Sequence, residues 1–203
     1  MRQGMSGLLG GRTRSIAVVT ALVVTAACGD SGSDGVGPSA VATGGSDARI
    51  TLQASVVDRS GTCPTIRFRL GSIVVETTSN TNFETPCAQI GNGMGIETHA
   101  PLVTGNVLSA VEVEADSSAA TNTSFDADGP IAVLSSADDC GGIGREVTIQ
   151  GLTFRVSSSA DIRDIAGGCS ALAVGMKVRA RGPLATASGA GISPLRATRV
   201  ERR

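Results

Sequence analysis

The sequence predicts an all-β protein of two tandem small β-barrels, OB-like or similar, preceded by a signal peptide and a disordered tether. Three observations predict this class. The chain repeats itself with a period near 80 residues, apolar and polar residues alternate over short segments, and glycine-rich turns separate those segments. Several short strands in each repeat favour a closed or nearly closed barrel, which leaves no strand edge exposed.

An export signal is predicted at residues 1–27. Arginines precede an apolar run at 16–27, which is too short to cross roughly 30 Å of hydrocarbon and is typical of a signal peptide. The letters TAAC, ending at Cys28, resemble a bacterial lipobox, so we expect Cys28 to carry an attached lipid. The threonine three residues before the cysteine departs from the usual Leu, Val or Ile, and plain secretion is the alternative.

The predicted location is the cell envelope, with the protein lipid-anchored to the outer face of the cytoplasmic membrane or to the outer membrane. Residues 28–47 consist mainly of Gly, Ser, Asp, Ala and Thr. Such a segment has almost nothing apolar to bury, so we expect a flexible tether. The membrane, reached through the N-terminal lipid, is therefore the first predicted partner.

The repeat is carried by aligned cysteines. CAQIGNGMGIETHAPL, which begins at Cys87, aligns without gaps with CSALAVGMKVRARGPL, which begins at Cys169, and Cys63 falls opposite Cys140 after a three-residue insertion. Setting Cys28 aside leaves an even set of four cysteines, as expected in an oxidising compartment. Four cysteines allow three connectivities. We favour disulfides within each repeat, because both cysteine positions recur in both repeats.

Strict alternation of apolar and polar residues predicts strands within each repeat. Examples are IRFRL at 66–70, VEVE at 111–114 and VTIQ at 147–150. No segment after Cys28 shows a convincing helical stripe with caps, and residues 159–165 fit only one short turn of helix. The elements therefore favour barrels built almost entirely from strands.

A linker is predicted between the two barrels, which we place at 48–114 and 129–203. Residues 115–128 are polar apart from Phe125, so we expect mobility and sensitivity to proteases. Phe125 is the one linker residue expected to pack on the second barrel. The carboxylates of this segment are faintly similar to a calcium loop, but the later ligands are missing, which favours a solvated turn.

The second repeat resembles a known bacterial family. The segments GPIAV from Gly129, ALAVGMKVRARG from Ala171 and ATRVE from Ala197 are similar to domain-of-unknown-function family 5666, and the first repeat fits its pattern more loosely. The resemblance implies a small β-barrel, often in tandem on exported lipoproteins, with no established activity. It supplies no catalytic residues.

The residue inventory argues against catalysis. The single histidine, His99, aligns with Arg181 and is interpreted as a surface strand position, and Gly-x-Ser-x-Gly, Cys-x-x-Cys and phosphate-loop motifs are absent. We therefore expect no catalytic residues, no metal site and no cofactor. Trp and Tyr are absent, so platforms for base stacking are scarce. Together with the predicted location, this leads us to exclude nucleic acid as a partner.

Charge is distributed unequally between the halves. Residues 28–128 carry 4 basic and 12 acidic side chains, and residues 129–203 carry 10 basic and 6 acidic ones. Aligned strand positions have opposite signs, and we hypothesise that these faces meet, either between the two barrels or head to tail between molecules. Solvated faces that contribute little are the alternative. The candidate interaction residues are Glu97, Glu112, Arg179, Arg181 and Arg199.

These observations predict a lipid-anchored envelope protein that acts as a non-catalytic binding or structural interaction module. The predicted partners are an envelope protein, an envelope polymer or a second copy of the chain. An extracytoplasmic receptor for a soluble ligand is the alternative and would need a pocket. An enzyme is the least favoured interpretation.

Overall fold

The computed structural model describes residues 49–185 and 194–203, in which every regular element is a strand or a short 3-10 helix. The strands of the first repeat are β1 (Arg49–Thr62), β2 (Thr65–Leu70), β3 (Ile73–Glu76), β4 (Asn82–Phe83), β5 (Gly95–Ala100), β6 (Val103–Thr104), β7 (Val107–Ser109) and β8 (Glu112–Ala115). Those of the second repeat are β9 (Ser124–Leu134), β10 (Arg145–Ile149), β11 (Leu152–Arg163), β12 (Lys177–Gly182) and β13 (Leu195–Arg202). The 3-10 helices are Cys87–Gln89, Ser117–Ala120, Ala137–Gly141 and Gly168–Ala171. The predicted signal peptide, Cys28 and the tether lie outside the described residues.

The second repeat is a closed five-stranded barrel. Its strands follow the order β10-β11-β13-β12-β9, and β9 pairs with β10 to close the ring. All neighbours are antiparallel except β11 and β13, which run parallel. This is the arrangement of an OB fold, so the predicted all-β class and OB-like barrel are confirmed.

The first repeat follows the same strand order. The strand equivalent to β11 is divided into β3 and β4, and the strand equivalent to β13 is divided into β7 and β8. β1 pairs with β2 and β5, β2 pairs with β3, and β3 runs parallel to β7. Only Ala110 and Val111 separate β7 from β8, which pairs with β5, so β7 and β8 together take the place of β13. Equivalent elements therefore occur in the same order in both repeats.

Alternation fills both barrels with apolar side chains. Along β1, every second residue from Ile50 to Val56 is at most 1% exposed. In the second barrel, Phe125 and Phe154 are buried with their ring centroids 5.4 Å apart. Because strand residues point alternately to opposite faces, the polar side chains between these positions lie on the outer surface.

Each barrel contains one disulfide bond. Cys63 pairs with Cys87 and Cys140 with Cys169, with Cα–Cα distances of 5.9 and 6.0 Å. In both repeats, the disulfide links the connection between the first two strands to the 3-10 helix that follows the third. This is the pairing within each repeat that the alignment favoured.

The two barrels form one compact unit and join along a seam between β1 and β9. The antiparallel register places Thr51 opposite Asp126 at the centre of the paired segment. Thr51 also pairs with His99 on β5, and Asp126 also pairs with Arg181 on β12. Because His99 and Arg181 are aligned positions of the repeats, the seam relates the two barrels by a local two-fold axis. Six strands form one continuous sheet in the order β8-β5-β1-β9-β12-β13.

Two predicted segments differ from the structure. Residues 115–128, expected to form a mobile linker, contain the 3-10 helix Ser117–Ala120 and the first half of β9. They are ordered because β9 pairs with β1 on one edge and with β12 on the other, and Phe125 is buried as expected. Residues 159–163, expected as a helical turn, continue β11 because they pair with β13.

Two turn glycines complete the contact between the barrels. A Cβ atom on Gly151, in the β10–β11 turn, would lie 1.8 Å from the backbone oxygen of Val103 in the first barrel. A Cβ atom on Gly71, in the equivalent β2–β3 turn, would lie 2.6 Å from the backbone oxygen of Ala185 in the second barrel. These two contacts obey the same local two-fold symmetry as the seam.

Candidate functional site

The candidate interaction residues lie on one outer face of the continuous six-stranded sheet, which we call the seam face. The two glutamates are on β5 and β8, whereas the three arginines are on β12 and β13. The seam face consists of Arg49, Thr51, Gln53, Glu97, His99, Glu112, Glu114, Ser124, Asp126, Asp128, Arg179, Arg181, Arg199 and Glu201. Its acidic and basic halves lie on opposite sides of the seam.

Within the described residues, no ion pair joins the acidic half to the basic half. Among the described residues, the ion pairs of the seam face each join two residues of the same barrel. The hypothesis that the oppositely charged faces meet between the two barrels is therefore wrong. The barrels are joined edge to edge by β1 and β9, so the two charged halves lie side by side in one surface.

The acidic half is built around His99, whose side chain is 8% exposed. Its Nε2 atom lies 3.0 Å from Glu97 Oε1, 3.7 Å from Glu114 Oε1 and 3.9 Å from Glu112 Oε2. Strands β5 and β8 pair His99 with Glu112 and Glu97 with Glu114. The four side chains therefore form a two-by-two patch on adjacent strands.

Three residues of β1 orient this patch. Thr51 Oγ1 lies 2.9 Å from Nδ1 of the imidazole, and Gln53 Nε2 donates to Oε2 of the β5 glutamate. Arg49 Nη2 donates to Glu112 Oε2 at 3.2 Å. Each of these partners is fixed in place because β1 is paired on both edges, with β5 and with β9.

The imidazole is held in its neutral form. Burial lowers the pKa of His99, and the positive charge of Arg49 lowers it further. The neighbouring carboxylates, including Glu97 and Glu112, raise the pKa of His99, but the net shift is downward. At pH 7 the ring therefore has one donor and one acceptor nitrogen, and it does not neutralise the carboxylates around it.

In the basic half, the arginines outnumber the carboxylates with which they form hydrogen bonds. Arg179 donates to Asp126 with Nε–Oδ1 at 2.9 Å, and Arg181 donates to the same carboxylate at 2.8 Å. The hydrogen bond with Asp126 raises the pKa of Arg179. Arg203 donates to Asp128 at 2.9 Å. Counting Arg203, which follows β13, this half has four arginines and the three carboxylates of Asp126, Asp128 and Glu201, whereas the acidic half has three glutamates and one arginine, Arg49.

The His99 cluster has groups suited to proton transfer or cation binding but not to acyl transfer. Thr51, His99 and Glu97 form a chain of hydrogen-bonding groups, which has the order of a nucleophile, a base and an orienting acid. Thr51 lies within strand pairing on both sides. The backbone amides around it are therefore committed to the sheet and leave no donor pair for an oxyanion.

Sequence reasoning missed this cluster. His99 was expected on the surface, whereas it is 7% exposed and faces three glutamates. The signal that could have found it is the pair of alternating segments ETH at 97–99 and EVE at 112–114. Only the register between β5 and β8 brings those segments together, and that register is a tertiary property.

A shallow depression of about 360 Å³ lies beside the second disulfide. It is lined by Cys140, Ser158, Ala160, Ile162, Gly167, Gly168, Cys169 and Ser170. None of these side chains is charged. Among the described residues, this depression is one place where the ligand of a receptor would bind.

No protein-family model and no curated protein sequence matches the chain. Among solved structures, it is similar to the wild-type single-stranded DNA binding protein from Thermus aquaticus, with 12% sequence identity and a TM-score of 0.41. The similarity covers 77% of this chain and 92% of that one. The predicted resemblance to family 5666 stays a prediction.

The exclusion of nucleic acid as a partner requires correction. It rested on the predicted location and on the shortage of aromatic residues, and one solved structure to which the chain is similar is that of a single-stranded DNA binding protein. We therefore withdraw the exclusion. A similarity at this level assigns no ligand to the chain.

None of the helices in residues 49–185 and 194–203 has the length and apolar character needed to cross a membrane. The predicted lipid-attachment residue, Cys28, belongs to the undescribed segment.

Proposed function

We propose that this chain is a non-catalytic interaction module of the cell envelope and that the seam face is its contact surface. The observation that carries the proposal is the charge asymmetry of a continuous sheet whose barrels are filled with apolar side chains. A filled barrel offers a surface rather than an interior cavity. Complementary potentials give such surfaces their specificity and orientation.

A second copy of the chain has the chemistry that fits the seam face. When two seam faces meet about a two-fold axis parallel to the seam, each acidic half covers the basic half of the other copy. A two-fold axis perpendicular to the seam, in the plane of the contact, would instead place one acidic half on the other acidic half. Charge repulsion therefore disfavours this second arrangement. The selected arrangement is closed, which limits association to a dimer.

The size of the seam face indicates a weak complex. Six strands spaced about 4.8 Å apart, with about five residues each at roughly 3.3 Å per residue, cover on the order of 450 Å² per copy. Two such faces bury about 900 Å² in total, below the roughly 1,200 Å² of a standard stable interface. We therefore expect association that depends on concentration and on salt.

We expect sedimentation velocity to detect a dimer at low salt that dissociates at high salt, because the screening length falls from about 30 Å at 0.01 M to about 3 Å at 1 M. The double variant Arg181→Gln, Arg199→Gln removes two charges from the basic half and should remain monomeric at low salt. The control Arg67→Gln, Arg69→Gln removes equal charge from β2, outside the seam face, and should still dimerise. Circular dichroism checks that all variants are folded.

A chain that is monomeric at every salt concentration contradicts the second copy as occupant. A dimer that persists in the Arg181→Gln, Arg199→Gln variant places the interface elsewhere. Single-stranded DNA is added as a separate probe, and DNA binding that this variant loses would replace the second copy with a nucleic acid. Binding of a soluble small molecule beside Cys140 would instead favour a receptor.

We propose in addition that a lipid on Cys28 holds the protein at the envelope. The apolar run before this residue and the small residues beside it support processing as a lipoprotein, and two acyl chains contribute about 0.8 kcal/mol per buried methylene. We expect Cys28→Ala to abolish labelling of the protein by radioactive palmitate and to move it from the membrane fraction to the soluble fraction. The matched control Gly29→Ala should keep the label. Unlabelled wild-type protein in the culture medium would establish plain secretion instead.

A further inference from the structure

We propose that the acidic half of the seam face binds a divalent transition-metal ion, with His99, Glu97 and Glu114 as ligands and Glu112 within reach. One donor atom from each of the three ligands lies within 4.8 Å of the others. A zinc ion bonded to nitrogen at about 2.0–2.1 Å and to oxygen at about 2.0–2.2 Å holds its ligand atoms somewhat closer than this. On metal binding, the three side chains would therefore rotate to bring these atoms closer together.

The imidazole distinguishes this patch from an ordinary cluster of carboxylates. The side chain of His99 is more than nine-tenths buried, and its Nε2 atom points into the space between the carboxylates of Glu97 and Glu114. A mixed nitrogen and oxygen ligand set favours ions such as Zn²⁺ over Ca²⁺ or Mg²⁺, which prefer oxygen ligands alone. The structure thus points to a class of metal as well as a place for it.

The groups behind the ligands are those that a metal site requires. Thr51 Oγ1, at 2.9 Å from His99 Nδ1, can accept a hydrogen bond from Nδ1–H, and in this tautomer the lone pair of Nε2 is available to a metal ion. Gln53 holds the outer oxygen of Glu97, and Arg49 holds Glu112. Hydrogen bonds of this kind fix the rotamer and tautomer of metal ligands. Here all three come from one strand that is paired on both edges.

The charge balance of the patch favours a cation. Three carboxylates surround the imidazole, and Arg49 is the positive side chain that contacts them. Repulsion between carboxylates on adjacent strands destabilises the sheet. A bound dication would remove this repulsion, so binding should stabilise the folded chain.

The second repeat provides an internal contrast. At the positions aligned with Glu97, His99 and Glu112, the second repeat has three arginines. Of the four aligned positions, only Glu201, which aligns with Glu114, retains a carboxylate. Asp126 takes the place of Thr51 and bridges two of those arginines. The same strand framework therefore stabilises its charges internally in one barrel and leaves a cation site in the other.

The test is isothermal titration of the purified protein with Zn²⁺, without a histidine tag and with Cys28→Ser, which prevents lipid attachment and leaves only the four cysteines of the two disulfides. We expect about one Zn²⁺ per chain. His99→Gln should weaken binding more than about 100-fold, and Thr51→Val, which removes the partner of Nδ1, about 10- to 100-fold. The matched control Glu201→Gln should bind Zn²⁺ as the wild type does.

Spectroscopy gives a second readout that a merely structural role would not move. The chain contains a single histidine, so imidazole coordination detected by X-ray absorption reports on His99 alone. Coordination by oxygen only, or unchanged affinity in both His99→Gln and Glu114→Gln, would overturn the proposal. The titration is performed at 0.5 M NaCl, where we expect the proposed dimer to be dissociated. Its result therefore tests the metal site independently of the proposed dimer.

Discussion

Replacement of Phe125 by alanine should lower the free energy of unfolding by about 3–5 kcal/mol, the range of large-to-small changes of buried phenylalanine. Phe125 is 1% exposed, packs against Phe154 and lies where β9 pairs with both β1 and β12. Removing the ring opens a cavity beside the seam. Because the chain has no Trp or Tyr, urea unfolding is followed by far-ultraviolet circular dichroism.

The control is Phe83→Ala, since Phe83 is only partly buried. This variant should lower the free energy of unfolding clearly less than Phe125→Ala does. Truncating a partly buried side chain removes less buried apolar surface and leaves a smaller cavity. A loss below about 1 kcal/mol for Phe125→Ala, the size expected for a surface site, would mean that residues 115–128 are a linker rather than part of the core.

Gly151→Ala should be the most damaging single methyl addition at the contact between the barrels. Gly151 has a φ of +76°, and a Cβ atom there would lie 1.8 Å from the carbonyl oxygen of Val103. The positive φ alone costs a residue with a side chain about 1–2 kcal/mol. Forcing the backbone of Val103 away adds about 1–3 kcal/mol of overpacking strain.

Gly175→Ala separates these two costs. Gly175 has a similar φ of +83° and nothing within 4 Å of its added Cβ atom, so it should show only the conformational cost of about 1–2 kcal/mol. Both variants are measured by urea denaturation. Equal losses for Gly151→Ala and Gly175→Ala would contradict the close approach of the two barrels at Val103.

The features that could be predicted from the sequence are those that depend on the internal repeat or on the alternation of residues within a single strand. The aligned cysteines anticipated both disulfides, and alternating segments such as 66–70 predicted strands such as β2. The segment SFDADG at 124–129 alternates in the same way. Its outward positions are so polar that it resembled a linker, because pairing of β9 with β1 is invisible to composition.

The candidate site could be predicted only in part. The charge contrast between aligned positions placed Glu97 and Arg179 on equivalent strands, and both lie on the seam face. The cluster around His99 could not be predicted, since it depends on the register of β5 and β8 and on burial by partners from β1. A pattern within one strand does not contain the identity of its neighbours.

The local two-fold axis between Thr51 and Asp126 has a consequence for how such a surface arises. Two separate identical subunits joined by these strands would be obliged to present the same charge on both flanks. Linking the halves in one polypeptide removes that constraint, because each half then accumulates its own substitutions. A symmetric framework thereby acquires an electrical polarity that no pair of identical subunits could have.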